Sequence, residues 1–264
     1  MKYKKFIIRA TEQVFWLAAC ALAFAPQSAA AEIQSKNWVP SMEELKSAEG
    51  LTDPAFSKRF GGKRLEFTVE GHRAFIIFPT VPAFPTGLAD DVSKPWVWFF
   101  PTYILGYTSR PSLPCDSVTW IAERLLTSGF VICGVDVGYS VGNPEGNTAY
   151  TKFYDMVVSR FNLSRKSCLM PVSQGGAMGY NWAIEHPQWV QCIAAVYPAT
   201  DMRAYPGLEI ASKAYGMPIQ DFEENLSWFN PIDRLEPLAK ARVPIFHIHG
   251  NVQEDRLESL SPPF

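Results

Sequence analysis

The sequence carries no large excess of charge of either sign. Its 264 residues include 24 basic and 26 acidic side chains, which give a formal net charge of −2. This balance provides no electrostatic reason to bind DNA, RNA or an anionic membrane surface, so we expect no nucleic-acid partner. Hydrophobic residues make up 47% of the chain, too many for an intrinsically disordered protein. The length allows one large α/β domain with a sizeable core.

Motifs for nucleotides and metal ions are missing as well. Gly134, Gly138 and Gly142 do not have the G-x-G-x-x-G spacing of dinucleotide-binding turns, and the phosphate-binding G-K-[ST] triplet does not occur. No C-x-x-C pair is present. His247 and His249 could share one face of a strand, but no third ligand stands at a helpful spacing. We therefore predict no cofactor and no metal site.

No apolar run is long enough for a membrane-spanning helix. The run over residues 14–25 follows four basic side chains and precedes a cluster of alanines of the kind that signal peptidase cleaves. This pattern is typical of a bacterial secretory signal peptide over residues 1–31, cleaved after Ala31. It predicts a secreted or periplasmic mature domain over residues 32–264. A lipoprotein site at Cys20 is the weaker alternative, because the apolar run continues past it.

Cysteine is scarce, and four cysteines remain after the predicted cleavage. Cys133, Cys168 and Cys192 lie within apolar runs, whereas Cys115 lies in a proline-rich stretch. Export permits disulfides, but cysteines in apolar strands usually behave as small buried hydrophobic residues. We interpret the three in this way.

Strand and helix patterns alternate along the rest of the chain. Two alternating segments joined by a Gly-His turn predict an antiparallel pair at the start, and later apolar runs bounded by Pro and Gly predict buried strands. The predicted strands cover residues 65–70, 73–78, 96–100, 130–137, 168–172, 190–197 and 243–248, and the predicted helices cover 116–129, 148–161 and 175–185. This order predicts an α/β fold with a mostly parallel sheet and helices on both faces.

The clearest chemical signal is Ser173, which stands between a short apolar strand and the start of a helix. Such a serine is held in a tight turn that exposes its hydroxyl, and it needs small residues two positions to either side, here Pro171 and Gly175. The backbone N–H of Gln174 would then face a developing oxyanion. Pro171 replaces the first glycine of the G-x-S-x-G pattern, so we expect a distorted strand end. The alternative is that Ser173 only caps the helix.

Several short segments together resemble the α/β-hydrolases, specifically the secreted esterases related to dienelactone hydrolase and prolyl oligopeptidase. The segments that carry the resemblance are residues 96–103, 134–138, 173–176, 197–198, 230–233 and 243–250. The resemblance covers residues 64–250 and implies an α/β-hydrolase fold and serine esterase activity on a small-molecule ester. By position it also implies that Thr102 or Tyr103 supplies the second oxyanion N–H. Abundant Trp and Tyr fit a carbohydrate ester, since their faces stack on sugars.

The acid of a Ser-His-Asp triad has no obvious residue in this sequence. Members of the family usually continue His-Gly-Asp-x-Asp after the last strand recognised here, with the second Asp orienting the imidazole. This chain has Gln253 at that place, and an amide cannot stabilise an imidazolium as a carboxylate does. Three alternatives stay open: Asp255 or Glu254 after a small loop shift, Asp201, or no acid at all.

The triad base is also missing from the pattern. In the family the histidine follows the acid by one more strand, whereas the last histidine here is His249, with fifteen residues after it. His249, His186 and His72 are better explained as turn or packing residues. We expect the final strand and helix of the fold to be lacking, and residues 253–264 to reflect a frameshift or an early stop. The alternatives to an esterase are a non-catalytic binding protein with this fold and a serine peptidase of the prolyl-oligopeptidase type.

Overall fold

The computed structural model describes residues 63–79, 93–102 and 119–249. All of these lie in one compact unit of the chain, Gln34–Phe264. The predicted signal peptide, the Cys20 alternative and residues 250–264 lie outside the described residues.

The described strands form one sheet. Their bounds are β1 Lys63–Val69, β2 His72–Phe78, β3 Trp96–Phe100, β4 Val131–Val135, β5 Ser167–Pro171, β6 Val190–Val196 and β7 Ile245–Ile248. The order across the sheet is β1-β2-β4-β3-β5-β6-β7. β2 is antiparallel to both β1 and β4, and all the other neighbours are parallel. The predicted mostly parallel sheet that starts with an antiparallel pair is therefore confirmed.

Helices cover both faces of this sheet. Their bounds are α1 Thr119–Thr127, α2 Pro144–Phe161, α3 Gly175–Glu185, α4 Leu208–Ala214, α5 Ile219–Glu224 and α6 Glu236–Lys240. α2, α3 and α6 bury side chains in the main core cluster together with every second residue of the central strands. α1 contacts β4 and buries Ile121 and Leu126 outside that cluster, on the other face. The prediction of helices on both faces is confirmed.

The boundary of α2 differs from the prediction. The helix begins at Pro144, four residues before the expected start at residue 148. Asn143 caps it, because its side-chain Oδ1 accepts a hydrogen bond from the Gly146 N–H at 2.8 Å, and Pro144 occupies the first turn, where no N–H is needed. Asn143-Pro144 is a sequence signal for the start of a helix, so the predicted start at residue 148 was wrong.

The core of the sheet is aromatic and lies under β3. All five residues of β3 are buried, as expected for a central strand covered on both faces. The indole of Trp98 lies 4.7 Å from that of Trp182 and 5.1 Å from the ring of Phe153, measured between ring centroids. These contacts join β3 to α2 and α3, so the strand and the helices that carry the site are anchored in one rigid cluster.

Residues 201–234, which we call the cap segment, share a small hydrophobic cluster with α3 and with the segment that precedes α2. It contains Val141, Ala177, Met202, Ala211, Phe222 and Leu226. The buried side chain of Asn181 fastens this segment to α3, since its Nδ2 donates to the carbonyl oxygens of Gly142 at 3.3 Å and Phe229 at 2.9 Å. The cap segment therefore packs next to the first turns of α3.

The cysteines follow the prediction only in part. Cys133 on β4 is buried, as expected. Cys168 and Cys192 are partly exposed, because they lie near the starts of β5 and β6 rather than in the strand centres. Cys115 lies outside the described residues. Across the described part of the chain, no helix combines the length and apolarity that a bilayer span requires.

Candidate functional site

Ser173 occupies a strained turn between the end of β5 and the start of α3. Its φ angle is 51°, in the left-handed region that non-glycine residues rarely adopt, and its side chain is exposed. The Ser173 N–H donates to the carbonyl oxygen of Val196 at 3.0 Å, and its own carbonyl oxygen accepts from the N–H groups of Gly176 at 2.9 Å and Ala199 at 2.8 Å. These backbone bonds hold the strain in place and leave the hydroxyl facing outward.

The two glycines after Gln174 are required by close packing. A Cβ atom on Gly175 would collide with the backbone carbonyl of Phe100 at the end of β3. A Cβ atom on Gly176 would lie 2.5 Å from the backbone nitrogen of Ala199. The small residue predicted at position 175 is therefore required because α3 begins in direct contact with the segment that follows β3. The structure adds the same requirement at Gly176, beside the segment that follows β6.

Pro171 affects only one side of β5. The ladder with β3 continues past it, since the Val172 N–H donates to the carbonyl oxygen of Phe100 at 2.7 Å. The ladder with β6 stops at the Leu169–Ile193 pair and resumes as an isolated bridge between Val172 and Val196. Proline has no N–H to donate, which accounts for this gap. The expected distortion is thus confined to the β6 side.

The two oxyanion candidates within the described residues lie at the same edge of the sheet. Thr102 follows β3, and the contact between Phe100-Pro101 and Gly175 places this segment beside the start of α3. Thr102 is 1% exposed, its Oγ1 donates to the Phe99 carbonyl oxygen at 3.2 Å, and its backbone N–H meets no acceptor among the described residues. Gln174 stands at the N-terminus of α3, where the helix dipole favours negative charge. Tyr103 lies outside the described residues.

Asp201 lies at the start of the cap segment in a polar network. Its Oδ1 accepts hydrogen bonds from the Arg203 N–H at 3.0 Å, from Arg203 Nε at 2.8 Å and from Asn230 Nδ2 at 3.1 Å. Arg203 also pairs with Asp233 at 3.3 Å. Burial opposes ionisation of Asp201, but the hydrogen bonds and charge of Arg203, with the Asn230 amide, hold the pKa of its carboxyl below the ordinary value. Asp201 is an ionised carboxylate whose described partners are an arginine and an asparagine.

The four histidines of the described residues contact groups other than the Ser173 hydroxyl. Nδ1 of His72 lies 3.2 Å from the Asp136 carbonyl oxygen, and Nε2 of His186 lies 3.1 Å from Thr151 Oγ1. His247 Nε2 lies 2.5 Å from the Tyr180 hydroxyl, and its ring centroid is 5.8 Å from that of the exposed His249. No hydrogen bond joins the Ser173 hydroxyl to a histidine in the described part of the chain. The expectation that these residues have turn or packing roles agrees with these contacts for His72 and His186.

The remaining site predictions lie outside the described residues. These are the acid candidates Asp255 and Glu254, together with Gln253. Within the ranges 63–79, 93–102 and 119–249, no cluster of three or more His, Cys, Asp or Glu side chains is placed to bind a metal ion.

Tyr205 is a residue near the site that the sequence interpretation missed. Its hydroxyl donates a hydrogen bond to Gln174 Oε1 at 3.3 Å, so the cap segment contacts the residue next to Ser173. Thirty-one residues separate the two in sequence. No local pattern could have indicated the contact, because it depends on how the cap segment folds back over α3.

Comparisons with known proteins agree with the topology. No protein-family model matches the chain, and no curated protein is similar in sequence. The S-formylglutathione hydrolase of Agrobacterium tumefaciens superposes with a TM-score of 0.51 at 15% identity, over 77% of this chain and 79% of that one. Dipeptidyl peptidase 4 of Porphyromonas gingivalis gives a TM-score of 0.49 at 11% identity, over 71% of this chain. The match covers 31% of the peptidase, so the chain corresponds to less than a third of its length. The strand order, the left-handed serine after β5 and the likeness to the A. tumefaciens enzyme establish that the chain has the α/β-hydrolase fold.

Proposed function

We propose that the protein is a serine hydrolase that cleaves carboxylic esters with Ser173 as the nucleophile. The conformation of Ser173 carries this proposal. A serine with a φ of 51°, exposed between a parallel strand and a helix, serves no packing purpose that a glycine could not serve with less strain. It does present its hydroxyl to a substrate carbonyl.

The surroundings of Ser173 suit the charge that forms during acyl transfer. When Oγ attacks the carbonyl carbon, the carbonyl oxygen becomes an oxyanion, the alcohol leaves and a water molecule later releases the acid. Thr102 belongs to the segment after β3 that touches the start of α3 at Gly175, and Gln174 is the N-cap of α3, so the N–H groups of these two residues are our candidates to bind the oxyanion. Each oxyanion donor contributes roughly 3 kcal/mol in well-studied hydrolases.

Two exposed aromatic side chains of the cap segment support a proposal on the substrate class. Tyr205 is 37% exposed and Trp228 is 73% exposed, and the hydroxyl of Tyr205 bonds to Gln174 beside the nucleophile. Exposed aromatic faces bind apolar groups and sugar rings. We propose that the substrate is a small-molecule ester with a ring near the scissile bond, and that a carbohydrate ester is the preferred case.

We also propose that the mature domain is exported after signal-peptide cleavage on the C-terminal side of Ala31.

Hydrolysis of p-nitrophenyl acetate tests the proposal. We expect Ser173→Ala to lower kcat/KM by about 10³-fold or more. Ser128→Ala changes another exposed serine, which lies between α1 and the start of β4, and it serves as the matched control because it should leave the rate unchanged. Equal rates for the two variants and the parent protein would rule out Ser173 as the nucleophile.

A second candidate is a non-catalytic binding protein that keeps the fold. One observation favours it: the Ser173 hydroxyl bonds to no histidine among residues 63–79, 93–102 and 119–249. A serine without a general base is a poor nucleophile at neutral pH. In that case the cap segment would still bind ring-containing ligands, and the ester would be bound without turnover by the parent protein and by Ser173→Ala alike.

A further inference from the structure

Two cysteines face each other on neighbouring strands, away from the nucleophile. Cys168 is the second residue of β5 and Cys192 the third of β6, and the two are direct partners in the parallel ladder. Both are present as thiols and both are partly exposed. Ser173 follows at the opposite end of β5, so this pair lies at the other edge of the sheet and serves no part of the ester chemistry.

The backbone geometry permits a bond between the two sulfurs. Directly paired residues of neighbouring strands lie about 4.7–4.9 Å apart, inside the range of about 4.4–6.8 Å seen between the Cα atoms of disulfides. Partners in a parallel ladder also point to the same face of the sheet. The ladder has a register shift between Ser167 and Cys168, and such irregularities bend and twist the strand locally. The two side chains can therefore approach without moving the strand centres.

The chemistry of the pair is asymmetric. A hydrogen bond from the Cys168 thiol lowers the pKa of Cys192, although partial burial opposes the effect. Burial raises the pKa of Cys133, which lies inside the core. Because the thiolate is the nucleophile in disulfide exchange, the hydrogen-bonded pair favours the reaction, whereas burial keeps the Cys133 thiol protonated in the core.

We propose that Cys168 and Cys192 form a reactive dithiol that closes to a disulfide by exchange with a small-molecule disulfide. The Cys192 thiolate attacks one sulfur of the reagent, forming a mixed disulfide and expelling one thiolate. Cys168 then loses its proton to solvent and attacks the Cys192 sulfur, which expels the second thiolate. The protein loses two electrons and two protons, and one small-molecule disulfide is reduced to two thiols.

Oxidised glutathione and peptide mapping test this directly. The folded protein is incubated with the reagent, quenched in acid, alkylated and cut with trypsin. Trypsin cleaves after Lys166 and Arg203 with no site between them, so both cysteines stay on one peptide, apart from Cys133 and Cys115. We expect this peptide to lose the mass of two hydrogens and to become resistant to alkylation. Cys133 should remain fully alkylated after unfolding.

Single variants separate a dithiol from two independent thiols. In Cys168→Ser the resolving thiol is gone, so Cys192 should accumulate as the mixed disulfide, which does not persist in the parent protein. Cys133→Ser, the matched control, should form the internal disulfide as the parent does. Persistent mixed disulfides in the parent protein, or no reaction at either cysteine while the protein is folded, would overturn the proposal.

Discussion

The ring of Pro171 packs directly against Gly179, one turn into α3, where a Cβ atom would lie 3.0 Å from the proline Cγ. Pro171 stands where related serine turns have a glycine, and Gly179 leaves the space that the larger ring needs. The same Cβ would lie 3.2 Å from Cγ of Phe100. β5 and α3 can therefore approach closely with a proline on the strand, because the residue opposite it on the helix is a glycine.

This contact predicts coupling between the two positions. Gly179→Ala should destabilise the protein by about 1–3 kcal/mol through overpacking, despite the better helix propensity of alanine. Pro171→Ala removes the ring, so the double variant should be less destabilised than the sum of the two single variants. Urea denaturation of the four proteins measures the coupling energy. Simple additivity would show that the two residues do not compete for space.

Tyr205→Phe removes the hydrogen bond to Gln174 and keeps the ring. Because the hydrogen bond is exposed, we expect little change in melting temperature. We expect ester hydrolysis to be slower by about 2- to 10-fold, because the Tyr205 hydroxyl no longer holds the Gln174 side chain in position. Tyr215→Phe is the matched comparison. Its buried hydroxyl donates to the Gly142 carbonyl oxygen at 2.9 Å, so its loss should cost about 1–2 kcal/mol of stability. If the Tyr205→Phe variant kept the parent kcat/KM, Tyr205 would have no role in the proposed hydrolysis.

Asp201 can be tested as a triad acid or as a structural anchor. If it anchors the cap segment, Asp201→Asn and Arg203→Gln should both lower the melting temperature and change kcat little. If it is the acid, Asp201→Asn alone should lower kcat by about 10⁴-fold.

The hydrogen-bond network of Asp201 stabilises the ionised carboxylate. Its contribution to stability is therefore present above the ordinary carboxyl pKa and is lost as the pH falls through the lowered pKa. Melting curves of both variants against pH check this.

His247 predicts a second pH effect, in mildly acidic solution. Burial and the neighbouring His249 lower the pKa of His247 from 6.5 to about 4. The unfolded chain therefore binds a proton that the folded protein does not, and stability should fall as the pH drops from 6.5 towards 4. His247→Gln should flatten this part of the profile. His186→Gln should flatten part of the same profile as well, since burial also lowers the pKa of His186. A profile unchanged by His247→Gln contradicts the assignment.

Local patterns were enough to predict the tight turn at Ser173 and most of the sheet. The apolar run of β3 and the change from β5 to α3 at Ser173-Gln-Gly-Gly are written in consecutive residues, so periodicity and turn chemistry identify them. The start of α2 is the exception, because Asn143 and Pro144 signal a helix N-terminus there while Gly142 and Gly146 on either side favour a loop.

Contacts between distant segments could not be predicted in the same way. The hydrogen bond from Tyr205 to Gln174 and the anchoring of the cap segment by Asn181 join residues far apart in the chain. The sequence shows that Asp201 follows a predicted strand. Only the structure shows that Arg203 and Asn230 donate hydrogen bonds to its carboxylate. Side-chain partners of this kind depend on tertiary packing rather than on local propensity.

The central claim is that Ser173 is an activated nucleophile, and covalent labelling with a fluorophosphonate tests it most directly. We expect the folded protein to gain one phosphonyl group, mapped to the tryptic peptide that ends at Arg203, and we expect Ser173→Ala to abolish the label while Ser128→Ala does not. A cooperatively melting protein that takes up no label, or one labelled equally in Ser173→Ala, would contradict the account and leave the non-catalytic binding protein as the better description.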